Sequence, residues 1–168
     1  MKKSIIVICL LLLVLNIVSA QTKLPGIKVR TLDGKEVLAT EFSNNGKPFV
    51  ISFWGTWCKP CLQELQAIAD HYTDWNSESG FKLIAVSTDD AKNSAKVKSF
   101  TRGKAWPFEI YTDSNQNLYR ALNITNLPFM LIVNAQGEIV YSHSGYVPGS
   151  ETEVYKQFKE ILEKGSAQ

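Results

Sequence analysis

Two cysteines separated by two residues, in Trp57-Cys58-Lys59-Pro60-Cys61, are the groups in this chain best suited to covalent chemistry. A thiolate is a nucleophile, and a second thiol one turn away can displace whatever it has captured, so the pair suits thiol–disulfide exchange through a mixed disulfide. Ahead of them, Phe49-Val50-Ile51-Ser52-Phe53-Trp54 is a nearly unbroken apolar run, the pattern of a strand buried on both faces. After them, Cys61, Leu65, Ile68, Tyr72 and Trp75 recur at spacings of four, three, four and three, which is one face of a helix. Cys58 therefore falls at a helix N-terminus, where unpaired N–H groups and partial positive charge favour a thiolate. Lys59 adds a full charge of the same sign, and Pro60 fits an early helical position. Helical residues three apart have Cβ atoms about 5–6 Å apart, close enough to bridge after a modest adjustment. Cys58 is expected to be the exposed, attacking sulfur and Cys61 the deeper, resolving one, with Trp54, Trp57 and Pro60 as the apolar surround on which a partner docks.

Other uses of the same sulfurs stay open at this stage. Half of a zinc site would need two further ligands at a second short spacing. The two histidines, His71 and His143, do not supply it, and His71 lies about 15 Å along the predicted helix from Cys61. A permanently closed, inert disulfide runs against placement at a helix N-terminus, which stabilises the reduced form. Thr56 ahead of Cys58 suggests a thiol-dependent peroxidase, and soft thiolates suggest a module that holds Cu(I) or a client chain. The leading reading uses no metal and no cofactor.

The elements that must position the pair follow from the rest of the chain. Its 168 residues are 45% hydrophobic and 20% charged with a net charge of +2, the balance of one globular domain. Disorder and several membrane spans are excluded by composition, and no basic patch is present for a nucleic-acid partner. Residues 1–20 read as a secretory signal peptide: Lys2 and Lys3, an apolar run from Ile5 to Leu15, and an exit at Val18-Ser19-Ala20 with cleavage after Ala20. An uncleaved anchor is the alternative. Removing that segment takes away two Lys and Cys9, so the 18 basic residues fall to 16, equal to the 16 acidic, and only Cys58 and Cys61 remain. An exported domain, 21–168, with only this pair has no disulfide framework, which points to reactive rather than structural cysteines.

Along that domain, Ile27 to Val37 reads as a hairpin around Asp33-Gly34. Phe81 to Ser87 reads as a second buried strand, Ala91 to Thr101 as a polar helix with Val97 and Phe100 inward, Trp106 to Tyr111 as an extended piece, and Asn115 to Leu122 as a short helix. Leu127 to Val133 is a strand that Asn134-Ala135-Gln136-Gly137 turns back into Glu138 to His143. Ser150, with Glu153 three residues on, is the signature of a capping box for a last helix whose buried stripe is Val154, Phe158 and Leu162. Alternating strands and helices ending in a hairpin and a helix predict an α/β fold with a mixed central sheet flanked by helices. Asp89-Asp90 reads as a loop or a helix cap.

Phe53-Trp54-Gly55-Thr56-Trp57-Cys58-Lys59-Pro60-Cys61 resembles the thioredoxin-fold active site, and with the export signal the chain is most similar to TlpA/ResA-like extracytoplasmic thiol-disulfide oxidoreductases. The likeness runs from about Leu24 to Lys164 and includes Gly145 after the last strand. It implies a thioredoxin-like fold with an N-terminal hairpin extension, a cis peptide at Leu127-Pro128 beside the Cys pair, and a substrate surface formed by Trp57, Pro60, Leu127 and Pro128. It also implies an acidic catalytic group at Glu64, which shares a helix face with Cys61. Burial there would raise its pKa and let it exchange a proton with Cys61. Two departures stand out: Ser52 replaces the buried acid that thioredoxins proper carry six residues before the first Cys, and Asn126-Leu127-Pro128-Phe129 differs from the Gly-Val-Pro-Thr type. The resemblance implies a periplasmic monomer acting on protein thiols and disulfides of the cell envelope and re-reduced by a membrane-bound redox donor. It favours a reductant, for clients such as the haem-attachment thiols of apocytochrome c, whereas Lys59 favours a higher potential.

Overall fold

The structure, a computed structural model, describes residues 22–166; the expected signal segment lies outside the described residues. Phe49–Trp54 (β3) is buried at every position, because both faces of the strand are covered. Its neighbours are Leu83–Ser87 (β4), parallel to it, and Phe129–Val133 (β6), antiparallel. The hairpin Lys28–Thr31 (β1) and Glu36–Leu38 (β2) forms as the sequence predicts and joins the sheet through Glu109–Thr112 (β5). With Ile139–Ser144 (β7) at the far edge, the seven-stranded mixed sheet runs β2-β1-β5-β4-β3-β6-β7. Four α-helices, Lys59–Ser79 (α1), Ser94–Lys104 (α2), Asn117–Ala121 (α3) and Ser150–Ser166 (α4), and a 3-10 turn at Ala39–Glu41 complete the described residues. None is long and apolar enough to cross a membrane.

The sheet separates two cores, and period-two alternation along β3 feeds both. Val50 and Trp54 pack with Leu65, Ile68, Val154 and Phe158 of α1 and α4, while Phe49, Ile51 and Phe53 pack with Val29, Leu118 and Val133. α1 ends at Gly80, whose left-handed φ of 73° lets the chain turn into Phe81 and β4.

Three expectations are corrected. The second strand begins at Leu83 rather than Phe81, whose ring packs among Trp75, Tyr155 and Phe158 instead. α2 begins at Ser94 rather than Ala91, because the Asp90 carboxylate accepts the Lys92 and Asn93 N–H groups and closes a turn ahead of it. The capping box at Ser150 does not form: Ser150 is already helical, its N–H bonds to the Val147 carbonyl, and its Oγ has no partner. Glu151, not Glu153, reaches back, accepting the Gly149 N–H at 3.0 Å.

Candidate active site

Cys58 is the N-cap of α1, with φ −90° and ψ 93°, and Pro60 stands in the first turn. The backbone fixes it from both sides: its N–H donates to the Gly55 carbonyl at 3.0 Å, and its carbonyl accepts the Leu62 N–H at 3.1 Å. The Cys61 N–H points at the Cys58 sulfur at 3.4 Å, the contact through which a helix N-terminus stabilises a thiolate. Cys58 and Cys61 are joined as a disulfide with Cα atoms 5.3 Å apart. Ahead of them the loop depends on Gly55, where an added Cβ would stand 2.8 Å from the indole Nε1 of Trp57. That close approach lays Trp57 back over the loop, 67% exposed.

The exposure of the sulfurs is less than the sequence suggests. Cys58 is 5% exposed and Cys61 is fully buried. Their order of accessibility is as expected, but Cys58 is not an open thiol, because the disulfide draws it into the cluster of Trp54, Leu65 and Ile68. Trp54 is likewise no docking residue: it is fully buried, edge-on to Trp106 at 5.3 Å. Trp57 and Val147, both 67% exposed, are the exposed large hydrophobic side chains among the described residues.

Leu127-Pro128 is a cis peptide bond. Phe129 pairs with Phe53, so the register of β6 brings Pro128 to the end of the sheet from which the Cys58 loop leaves. The Pro128 carbonyl accepts the Gly145 N–H at 2.9 Å, which joins the loop carrying Val147 to the same end. Leu127 is half-buried against the cluster that contains both cysteines.

Glu64 is 1% exposed, and neither of its carboxylate oxygens has a hydrogen-bond partner. Burial, with a smaller push from the Glu151 charge, raises its pKa from 4.5 to about 8. Glu151 itself is 7% exposed at the start of α4. Ser52, at the position of the acid found in thioredoxins proper, is fully buried with an unpartnered Oγ. Glu64 is therefore the buried titratable group closest in sequence to the pair.

Asp89 is a residue whose place sequence reasoning missed. Asp90 makes the turn expected of the two, while Asp89 turns inward, 1% exposed. It accepts the Thr56 N–H at 2.9 Å, the Thr56 hydroxyl at 2.6 Å and the Ser87 hydroxyl at 2.7 Å. The run Ser87-Thr88-Asp89 after a buried strand signals only a turn. Its partner lies 33 residues away. Val147 and Glu151 were missed for the same non-local reason. His71 is exposed and stacks on Trp75, and His143 sits on β7 opposite Met130, so neither joins the site. Among the described residues no three His, Cys, Asp or Glu side chains gather as a metal site.

The chain is similar to known proteins. Residues 20–142 match the AhpC/TSA family. Thiol-disulfide oxidoreductase ResA of Halalkalibacterium halodurans is 30% identical over 131 residues, which cover 78% of this chain and 70% of that protein. ResA of Bacillus thuringiensis subsp. konkukian is 27% identical over 140 residues, covering 83% and 75%. The solution structure of an uncharacterised thioredoxin-like protein from Porphyromonas gingivalis superposes with a TM-score of 0.75 at 44% identity, over 84% of this chain and 93% of that one. The chain belongs to the AhpC/TSA family and is a thioredoxin-fold thiol-disulfide oxidoreductase of the ResA/TlpA-like kind.

Proposed function

We propose that this oxidoreductase works outside the cytoplasm as a reductant of disulfides in envelope proteins, with Cys58 as nucleophile, Cys61 as resolving thiol and Glu64 as proton carrier. The observation that carries the reading is a Cys pair capping a helix with a buried, unpartnered carboxyl one turn further along it. The Cys58 thiolate attacks one sulfur of a client disulfide; the Cys58–client bond forms, the client S–S bond breaks, and the released client thiolate takes the proton of Glu64, which is protonated at rest. Cys61 then gives its proton to the Glu64 carboxylate left by that transfer and attacks the Cys58 sulfur. The protein disulfide forms, the second client sulfur departs as a thiolate that solvent protonates, and two electrons have passed from the protein to the client. A group with a pKa of about 8 holds or releases a proton near working pH, as a general acid–base must.

Trp57, Pro60, Leu127 and Val147 form the apolar surface on which the client lies, with cis-Pro128, itself buried, at the same end of the sheet. Residues 1–20 act as the export signal, cleaved after Ala20, and 21–168 form the working monomer in the periplasm. A membrane-bound donor re-reduces it. The direction is supported by the likeness to the TlpA/ResA-like branch, in which haem-attachment thiols of apocytochrome c are the fitting client. A peroxidase reading is disfavoured by Thr56, whose hydroxyl is bound to Asp89 and so is not offered to a peroxide at Cys58.

Cys61→Ser should accumulate mixed disulfides with its clients, identifiable by mass spectrometry of the cell envelope, and Cys58→Ser should capture none. Equal capture by the Cys58→Ser variant would refute Cys58 as the nucleophile. Clients that lack a reducible Cys pair would refute the reductant role.

A further inference from the structure

We propose that Asp89 is a positioning residue that sets the redox balance of the Cys58–Cys61 couple: its buried carboxylate fixes the loop before Cys58 and its negative charge opposes ionisation of that sulfur. The claim rests on the reading of Cys58 as the nucleophile, and it adds a residue from another element that tunes it. Asp89 takes two hydrogen bonds from Thr56 and one from Ser87, while its own N–H donates to Ser87 Oγ at 3.1 Å. Beside it, the Thr88 N–H donates to the Trp54 carbonyl at 2.8 Å, and Gln116 Nε2 donates to the Thr88 carbonyl at 3.0 Å. The end of β4 is thus tied to the end of β3 and to the loop, and Asp89 cannot swing into solvent.

Three donors on one carboxylate define an acceptor-only group, the ionised form. Thr56 is two residues from Cys58, so their Cα atoms are at most about 7 Å apart. The Asp89 carboxylate, 2.9 Å from the Thr56 nitrogen, therefore lies within about 14 Å of the Cys58 sulfur, and over that distance, with an effective dielectric near 20, a buried charge is felt about several-fold to tenfold in an ionisation equilibrium. On its own helix Cys58 has the N-terminus of α1, which favours the thiolate, Lys59, which is exposed and screened, and Glu64, protonated at neutral pH, while Glu151 of α4 adds a negative charge beside Glu64. Asp89 is the negative charge tied to the Cys58 loop itself, and it works against the first two. A less stable Cys58 thiolate disfavours the reduced pair and makes the couple a stronger reductant.

The test is the equilibrium of purified protein with glutathione, in which two glutathione thiols give two electrons and two protons to the Cys58–Cys61 disulfide and become one glutathione disulfide. Asp89→Asn keeps the shape of the side chain and an acceptor for the Thr56 N–H while removing the charge. It should shift the equilibrium about tenfold toward the reduced protein, about 30 mV for a two-electron couple, and lower the apparent pKa of Cys58 alkylation. Ser87→Ala removes a donor but keeps the charge, leaving it less neutralised, and should shift the equilibrium about twofold the other way. Shifts of the same sign in both variants would show that loop loosening alone is at work and overturn the proposal, as would no shift in Asp89→Asn. If Asp89→Asn fails to fold, Ser87→Ala alone decides: an unchanged or raised reduced fraction overturns the claim. Wild-type protein that never exchanges with glutathione would remove the nucleophile reading and this proposal together. Wild-type exchange with an unresponsive Asp89→Asn removes the proposal alone.

Discussion

Glu64 and Asp89 are sealed to the same degree, each 1% exposed, yet the fold treats them in opposite ways. Asp89 sits at the end of β4 with three donors on its oxygens. Glu64 sits in α1 with none. Burial alone opposes a charge, and hydrogen bonds to the charged form restore it. The first region is a fixed charge that holds a loop. The second is a neutral acid at rest, able to lose its proton when the chemistry next to it calls for one. A redox pair that must move protons as well as electrons has use for one of each.

The comparison breaks most visibly in the pH dependence of stability. The folded pKa of Glu64, about 8, stands above the ordinary 4.5, so the folded state binds this proton more tightly than the unfolded chain does. Its contribution is fully present below pH 4.5 and is lost as pH rises through 8. Urea unfolding of the oxidised protein should therefore lose on the order of 4 kcal/mol between pH 5 and pH 9 from this group. Glu64→Gln, which has no proton to lose, should remove that slope. A slope that persists in Glu64→Gln would place the titration elsewhere.

Asp89→Ala should act with the opposite sense. It strands the Thr56 N–H, the Thr56 hydroxyl and the Ser87 hydroxyl, and should destabilise the protein by about 3 kcal/mol at pH 7. Glu64→Leu, which removes a buried carboxyl that bonds to nothing, should leave stability at pH 7 unchanged or raise it by about 1 kcal/mol. Equal losses in the two variants, measured by urea unfolding, would mean that the donors do not distinguish the sites.

What could be read from the sequence was what depends on neighbours in the chain. The apolar run of β3, the three–four spacing of α1 and the Asp33-Gly34 turn each carry their signal within a few residues, and each is found where it was placed. The cis bond before Pro128 followed from likeness to a motif rather than from spacing. Asp89 was out of reach because its meaning lies in Thr56, and Glu151 because it approaches Glu64 only through the packing of α4 against α1. The capping box at Ser150 failed for a local reason: with Gly149 free to take a φ of 99°, the chain turns one residue earlier and hands the capping role to Glu151. The burial of Cys58 depends on Trp54 and Leu65 closing around the disulfide, which periodicity does not report.

Glu151 supplies the finest test of the contrast. It adds a negative charge to the surroundings of Glu64 from a second helix, and it is the lesser of the two causes of the raised pKa, after burial. Removing that charge in Glu151→Gln should make the Glu64 proton easier to lose and move its titration to lower pH. The titration should stay above the ordinary carboxylate range, because the desolvation that Glu64 suffers inside the core is untouched. The same substitution keeps an oxygen that can accept the Gly149 N–H, so the start of α4 should persist. The carbon-13 shift of the Glu64 carboxyl, followed against pH in both proteins, reads the displacement directly. A curve that returns to the ordinary range would make Glu151, and not burial, the main cause, and an unmoved curve would mean that the two carboxyls do not sense each other.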